Sequence, residues 1–364
     1  MPHNQLAFHW DDDAPPPEDS GPSPQPPVTP VLTPLPQIAP LAARLKKLAG
    51  RGIYLGTSSW KYPGWVGQVY DPERYAGGSK DSGKDSRESG CGKGFSHQVS
   101  EARFNRECLA EYAVVFPTVG GDFSFYQFPS PSMWREMFEQ VPDGFRFSLK
   151  VPEDVTVQRW PDLPRYGKRA GEENPHFMDA ALVGEKLLLP LEPYRDRLGV
   201  LIFEFGTIHR PPLSRPAEFA AALDRFLAAL PLDRFKFAVE VRNREYLQES
   251  GDYLACLKAH GVAHCLNSWT RMPPLSEQLR IPGIFTADHV AARLLLRPGR
   301  AYQQAVDRFA PYDRIQEPYP DGRSALHDLI ERCLTGRQAL FAFVNNRFEG
   351  NAPQTIEEST RDFD

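Results

Sequence analysis

Glu240 and Arg242 are the residues of this chain best placed by type and spacing to do chemistry. They stand two apart in Phe235-Lys236-Phe237-Ala238-Val239-Glu240-Val241-Arg242. Strand alternation puts Lys236, Ala238, Glu240 and Arg242 on one face and the apolar residues on the other. A charged face in so apolar a run has two readings. It is a general acid/base carboxylate beside an anion-binding arginine, or an ion pair that braces the interior. Lys150 and Glu204 end two other apolar runs. A lysine held out of water can act as a base, a Schiff-base nucleophile or a fixed cation beside a carboxylate. Arg293, Arg297 and Arg300, together with a helix start near Gly350-Asn351, suit phosphate binding or are solvated surface arginines. The aromatic group Trp60, Tyr62, Trp65, Phe123, Phe125 and Tyr126 could stack a sugar or a nucleobase.

The elements that must carry these residues are eight short apolar runs, at 53–57, 114–122, 145–150, 200–204, 235–242, 262–267, 290–297 and 339–346. Helically spaced stretches separate most of them, at 104–113, 132–140, 178–191, 217–230, 247–260 and 321–334. A short, proline-containing sixth helix falls at 272–283, and a last one starts near Asn351 with Pro353 in its first turn. This alternation predicts a (β/α)8 TIM-type barrel, parallel and eight-stranded, whose site lies at the C-terminal strand ends. In that fold the polar strand ends share one pocket. The expected catalytic residues are Glu240, Lys150 and Tyr126. The expected substrate-binding residues are Trp60, Tyr62, Asp122, Glu204, Arg242, Asn267, Arg293, Asn345 and Asn346.

Composition bounds the rest. The chain has 364 residues and a formal charge of −5, which does not favour a general nucleic-acid binder. Five scattered cysteines form no CxxC, so reduced thiols in a cytoplasmic protein are expected. No run approaches the length of a membrane span, and the start of the chain lacks the features of a signal peptide. No HExxH is present, and His260 and His264 flank the helix-ending Gly261, so no metal and no cofactor are expected. Residues 1–45 are rich in Pro and Asp and read as a disordered tail, with the barrel domain at 46–364. A Gly/Ser/Lys insertion at about 76–100 holds Gly90-Cys91-Gly92-Lys93-Gly94. No strand precedes it, and Arg87 stands where a phosphate loop needs glycine, so that reading fails.

Five segments resemble one family. They are Thr57-Ser58-Ser59-Trp60-Lys61-Tyr62-Pro63-Gly64-Trp65, Asp122-Phe123-Ser124-Phe125-Tyr126-Gln127-Phe128-Pro129, Pro142-Asp143-Gly144-Phe145-Arg146-Phe147-Ser148-Leu149-Lys150, Phe237-Ala238-Val239-Glu240-Val241-Arg242-Asn243 and Phe343-Val344-Asn345-Asn346. In this order they are similar to motifs of the YecE-like family, domain-of-unknown-function family seventy-two, over roughly residues 52–358. The seventh run departs from the family pattern: Arg293-Leu294-Leu295-Leu296-Arg297 lacks the family's histidine. The resemblance implies a single TIM-type barrel and no particular reaction. The residues themselves point to an enzyme acting on a small anionic or sugar-like molecule by hydrolysis, isomerisation or lyase chemistry. A non-catalytic nucleotide or nucleic-acid binding module is the alternative.

Overall fold

A computed structural model describes residues 32–76, 100–248 and 251–363. Eight parallel strands close into a barrel in chain order. They are β1 Ile53–Thr57, β2 Thr118–Gly121, β3 Arg146–Lys150, β4 Leu198–Phe205, β5 Phe237–Val241, β6 Ala263–Ser268, β7 His289–Leu294 and β8 Ala339–Val344. Closure runs through β1 and β8, from Ile53 opposite Leu340 to Thr57 opposite Val344. The expected barrel is therefore the observed one. No helix among the described residues is long and apolar enough to cross a membrane.

The period of two decides which side chains go inward. On β5, Phe237, Val239 and Val241 join the large apolar layer between strands and helices, while Ala238 joins the smaller cluster inside the barrel. That inner cluster includes Val200, Ile202, Ala238, Cys265, Ala291, Phe341 and Phe343. Glu204 follows Ile202 by two residues, Glu240 follows Ala238 and Arg293 follows Ala291. Each stands one layer closer to the C-terminal mouth. Two glycines make room for this filling. A Cβ on Gly120 would lie 2.7 Å from the Phe343 ring, and one on Gly56 would lie 2.0 Å from the Thr118 carbonyl oxygen.

The helices start where the sequence has start signals. Pro131–Glu139, Pro216–Ala228 and Pro320–Gly336 each begin on proline, whose missing N–H costs nothing in a first turn. Ser130 caps the first of these by accepting from the Met133 N–H.

Several boundaries differ from expectation. The domain boundary expected at 45/46 falls inside a helix, Ala39–Ala49, that buries Leu41, Leu45 and Leu48. Residues 1–31 of the expected tail, and 77–99 of the insertion with its glycine-rich stretch, lie outside the described residues. The helix expected at 247–260 is split into Glu245–Gln248 and Asp252–Ala259, and Gly251 before the second piece has a left-handed φ of 75°. The sixth helix shortens to Leu275–Gln278, and an unexpected helix, Tyr302–Phe309, precedes Pro320–Gly336. Strand β7 stops at Leu294, which leaves Arg297 beyond the strand.

Candidate functional site

Six charged side chains from five strands meet at the C-terminal end of the barrel. Asp122 follows β2, Lys150 ends β3, Glu204 lies on β4, Glu240 and Arg242 come from β5 and the residue after it, and Arg293 lies on β7. The register explains the meeting, since Glu204 stands opposite Glu240 in the β4–β5 pair. Lys150 Nζ lies 3.0 Å from Glu204 and 3.5 Å from Asp122. Arg242 reaches Glu240 at 2.6 Å and Glu204 at 3.3 Å. Arg293 bonds Glu240 at 2.6 Å and Asp122 at 3.1 Å, and also bonds Glu204. Three cations thus meet three carboxylates. Aromatic faces back two of the cations: Lys150 Nζ lies 3.5 Å from the centre of the Phe125 ring, and Arg242 lies 4.0 Å from that of Trp269.

The electrostatics follow from this crowding. Burial opposes ionisation of Glu204, but Lys150, Arg242 and Arg293 outweigh it and hold the carboxyl well below the usual range. Burial likewise opposes the charge on Arg293, and Glu240, Glu204 and Asp122 overcome it. Access is uneven. The Glu240 side chain is fully buried, with one oxygen on Arg242 and the other on Arg293. Glu204 is 16% exposed and Asp122 36% exposed. The solvent-facing carboxylates are therefore Asp122 and Glu204, while Glu240 lies beneath them.

The remaining expected residues form a rim and a second group. Tyr126 is exposed at the rim, with Arg165 5.3 Å from its ring centre, and burial raises its hydroxyl pKa. Trp60 is buried against Phe123, with ring centres 5.6 Å apart. Asn267 is buried. Its Nδ2 donates to the Val241 carbonyl at 3.2 Å, and its Oδ1 has no hydrogen-bond partner among the described residues. Tyr62, Asn345 and Asn346 gather instead at the β1–β8 seam. Asn345 Oδ1 accepts from the Arg347 N–H, and Asn346 Oδ1 accepts from the Ala352 N–H.

The phosphate site expected around Arg297 and Arg300 is not assembled. Arg297 donates to the Glu317 and Pro318 carbonyls, and Arg300 pairs with the Glu317 carboxylate. The helix Ala352–Ser359 is already capped, by Asn346 at the Ala352 N–H and by Asn351 at the Gln354 N–H. Arg293 is spent on three carboxylates.

Two residues escaped the sequence reading. Glu153, just past β3, is buried and accepts from the Tyr166 hydroxyl at 2.9 Å; burial pushes its carboxyl above the usual range. Arg347 follows Asn346 in the turn after β8. Both lie in connections where no periodicity marks them, and only their position just after a strand could have signalled them.

Other polar groups are accounted for locally. His264 is buried beside the Tyr253 hydroxyl at 3.0 Å, and burial lowers its pKa to about 3. His260 pairs with the exposed Asp224 at 2.8 Å. Cys256 joins that pair in a set whose donor atoms lie within 4.8 Å of one another, on the outer surface and away from the barrel mouth. Cys265 lies inside the barrel, 4.0 Å from Glu240. Two clefts lie elsewhere. One of about 770 Å³ sits at the N-terminal strand ends among Tyr54, Arg146, Lys236 and His289. One of about 630 Å³ lies on the outer side near Phe177, Leu213 and Phe226.

Some of the buried polar atoms without protein hydrogen-bond partners lie at the polar strand ends, and others lie on the outer helices and loops. Among the described residues the former include Ser58 Oγ, Trp60 Nε1, Arg242 Nη1, Asn267 Oδ1 and Asn346 Nδ2. These residues follow or end β1, β5, β6 and β8.

Comparison with known proteins agrees with this fold. A DUF72 family protein from Enterococcus faecalis V583 is 15% identical over 85% of this chain and 94% of its own, with a TM-score of 0.55. A DUF72 family protein from Thermotoga maritima MSB8 is 17% identical over 85% of this chain and 97% of its own, with a TM-score of 0.52. Among curated proteins nothing matches. Residues 94–364 match the family described as "protein of unknown function DUF72", a stretch that starts after the opening motif at 57–65. With well over half of its length matched by that family, the chain belongs to DUF72.

Proposed function

We propose that the chain is an enzyme acting on a small anionic or sugar-like substrate at the C-terminal mouth of the barrel. The observation that carries this reading is the convergence of Asp122, Lys150, Glu204, Glu240, Arg242 and Arg293 from five strands. Removing so many charges from water is costly, and apolar residues of similar volume would brace a barrel at less expense. The cluster also lies at the end of the barrel where this fold places its chemistry.

In this reading Glu240 is a positioning residue. Held between two guanidinium groups, it fixes Arg242 and Arg293 rather than meeting substrate. Asp122 and Glu204 accept from substrate hydroxyls, and Lys150, bridging the two, supplies charge and a proton at Nζ. Glu153 and Glu204 are two carboxyls pushed apart by their surroundings, one raised by burial and the other lowered by three cations. Trp60 and Tyr126 line the mouth with aromatic rings. The three carboxylates are already matched by three cations, so the cluster does not offer the anionic donor set that a divalent ion takes.

The test compares wild type with Lys150→Met in a mixed small-metabolite extract, reading depletion and product formation by mass spectrometry, with folding checked by circular dichroism. Wild type should deplete a polar metabolite that the folded variant leaves untouched. Equal depletion by the two proteins, or none by wild type, would refute the proposal.

A further inference from the structure

We infer that the turn after β8 is a binding subsite for the phosphate group of a phosphorylated substrate, with Arg347 as its anchor. This deepens the reading above and rests on it, because it names the anionic part of the substrate handled at the neighbouring charge cluster.

Arg347 differs from the other cations at the mouth. Lys150, Arg242 and Arg293 each hold at least two carboxylates. Among the described residues Arg347 holds none. It is half-buried, its Nε has no hydrogen-bond partner, and its guanidinium lies 4.4 Å from the centre of the Tyr302 ring. Its surroundings are phenolic rather than acidic. Burial opposes its charge, Asp122 favours it, and its guanidinium donates a hydrogen bond to the Tyr312 hydroxyl. Burial raises the Tyr62 and Tyr312 hydroxyls, so both stay protonated and able to donate.

The group is built, not loose. The Arg347 N–H is fixed on Asn345 Oδ1 at 2.9 Å. Tyr62 and Tyr312 meet edge to face, with ring centres 5.7 Å apart. Tyr312 takes a left-handed φ of 70°, a strained backbone for a bulky residue, and Asn351 Nδ2 donates to its carbonyl at 2.9 Å. Gly64 lets the two loops touch, since a Cβ there would lie 2.1 Å from the Pro311 carbonyl oxygen. At the same seam, Ser58 Oγ and Asn346 Nδ2 are buried and have no protein hydrogen-bond partner among the described residues. The Ser58 N–H donates to the Val344 carbonyl, which places Ser58 beside the end of β8.

The donor count selects the ligand. The Arg347 guanidinium fork and the Tyr62 and Tyr312 hydroxyls beside it offer more donors than a carboxylate's two oxygens use, and they suit the three terminal oxygens of a phosphate monoester. Barrels of this type frequently bind phosphate beside strands seven and eight. Asp122 connects the two groups: it bonds Lys150 and Arg293 and is also an electrostatic neighbour of Tyr62 and Arg347. A substrate with its phosphate on Arg347 would present its polar body to Asp122 and Lys150.

The experiment titrates the full chain with inorganic phosphate and with acetate at fixed ionic strength, using heteronuclear NMR. The proteins are wild type, Arg347→Gln and Arg297→Gln, the last a rim arginine occupied by the Glu317 and Pro318 carbonyls. Wild type and Arg297→Gln should bind phosphate alike and more tightly than acetate. Arg347→Gln should bind it about ten-fold more weakly or worse. Should Arg347→Gln not fold, Arg347→Lys keeps the charge, loses the fork and should still weaken phosphate binding. Unchanged affinity in the folded Arg347 variant, no phosphate binding by wild type, or equal affinity for acetate would each overturn the inference. Binding is read without turnover, so this subsite can fail while the Lys150 test succeeds, and the reverse.

Discussion

Arg293→Met removes the guanidinium that three carboxylates share, and its consequences can be worked from the geometry. Arg293 is 3% exposed and bonds Asp122, Glu204 and Glu240. Methionine is close in length and apolar, so little packing is lost, but the carboxylates are left with only Lys150 and Arg242. Breaking a buried ion pair from one side costs about 3–5 kcal/mol. For a domain of this size that lowers the unfolding temperature by about 5–15 °C. The pH dependence gives a sharper signature. In wild type the Glu204 carboxyl is held well below its ordinary pKa of 4.5, so its contribution is present above that value and is lost as pH falls through the lowered one. Removing Arg293 takes away one of the three cations that lower it. The gap in stability between wild type and variant should therefore be full above about pH 5 and shrink at lower pH. Thermal unfolding followed by circular dichroism at pH 8, 6, 4 and about 3 measures it, because the loss falls between the ordinary and the lowered value. A drop below about 2 °C at pH 8, or a gap that does not change with pH, would show that the cluster does not hold its carboxylates as described.

Three further outcomes follow from the packing. Gly56→Ala drives a Cβ to 2.0 Å from the Thr118 carbonyl oxygen, so it should destabilise the β1–β2 contact by about 1–3 kcal/mol, read by urea unfolding. Asn351→Ala removes the cap on the Gln354 N–H and the bond to the Tyr312 carbonyl; a loss of about 1–2 kcal/mol in the same assay is expected. Cys108 and Cys333 are buried and their thiols are pushed up to about 12. Among the described cysteines, partly exposed Cys256, raised to about 11, should therefore react first with a thiol reagent, with Cys265 reacting only on unfolding.

The barrel was legible because its signal is a repeated one: eight apolar runs recur with helices between them, and every run overlaps an observed strand. On β5 the period of two alone placed Glu240 inward with Ala238 and Val239 outward, as the inner and outer apolar clusters show. Reading fails where the signal is short or composition hides it. Tyr302–Phe309 carries Tyr302, Ala305, Val306 and Phe309 at helical spacing, but it spans only two turns and lies in a connection where the helix at 321–334 already satisfied the alternation. Ala39–Ala49 carries Leu41, Leu45 and Leu48 at helical spacing, but the prolines before it drew the boundary too late. Arg297 and Arg300 looked like a phosphate pair because a sequence does not show Glu317 folding back onto them. Arg347 was missed for the opposite reason. Its partners Tyr62, Tyr302 and Tyr312 come from two distant connections and meet only when β1 and β8 close the barrel.

The central claim is that the C-terminal mouth holds the substrate. A crystal structure of the full chain, grown with the metabolite that wild type captures most strongly from extract, tests it most directly. The bound molecule is expected within hydrogen-bonding distance of Lys150 and Asp122. Finding it in the N-terminal cleft among Arg146, Lys236 and His289, with the mouth unchanged, would overturn the assignment of the site to the mouth.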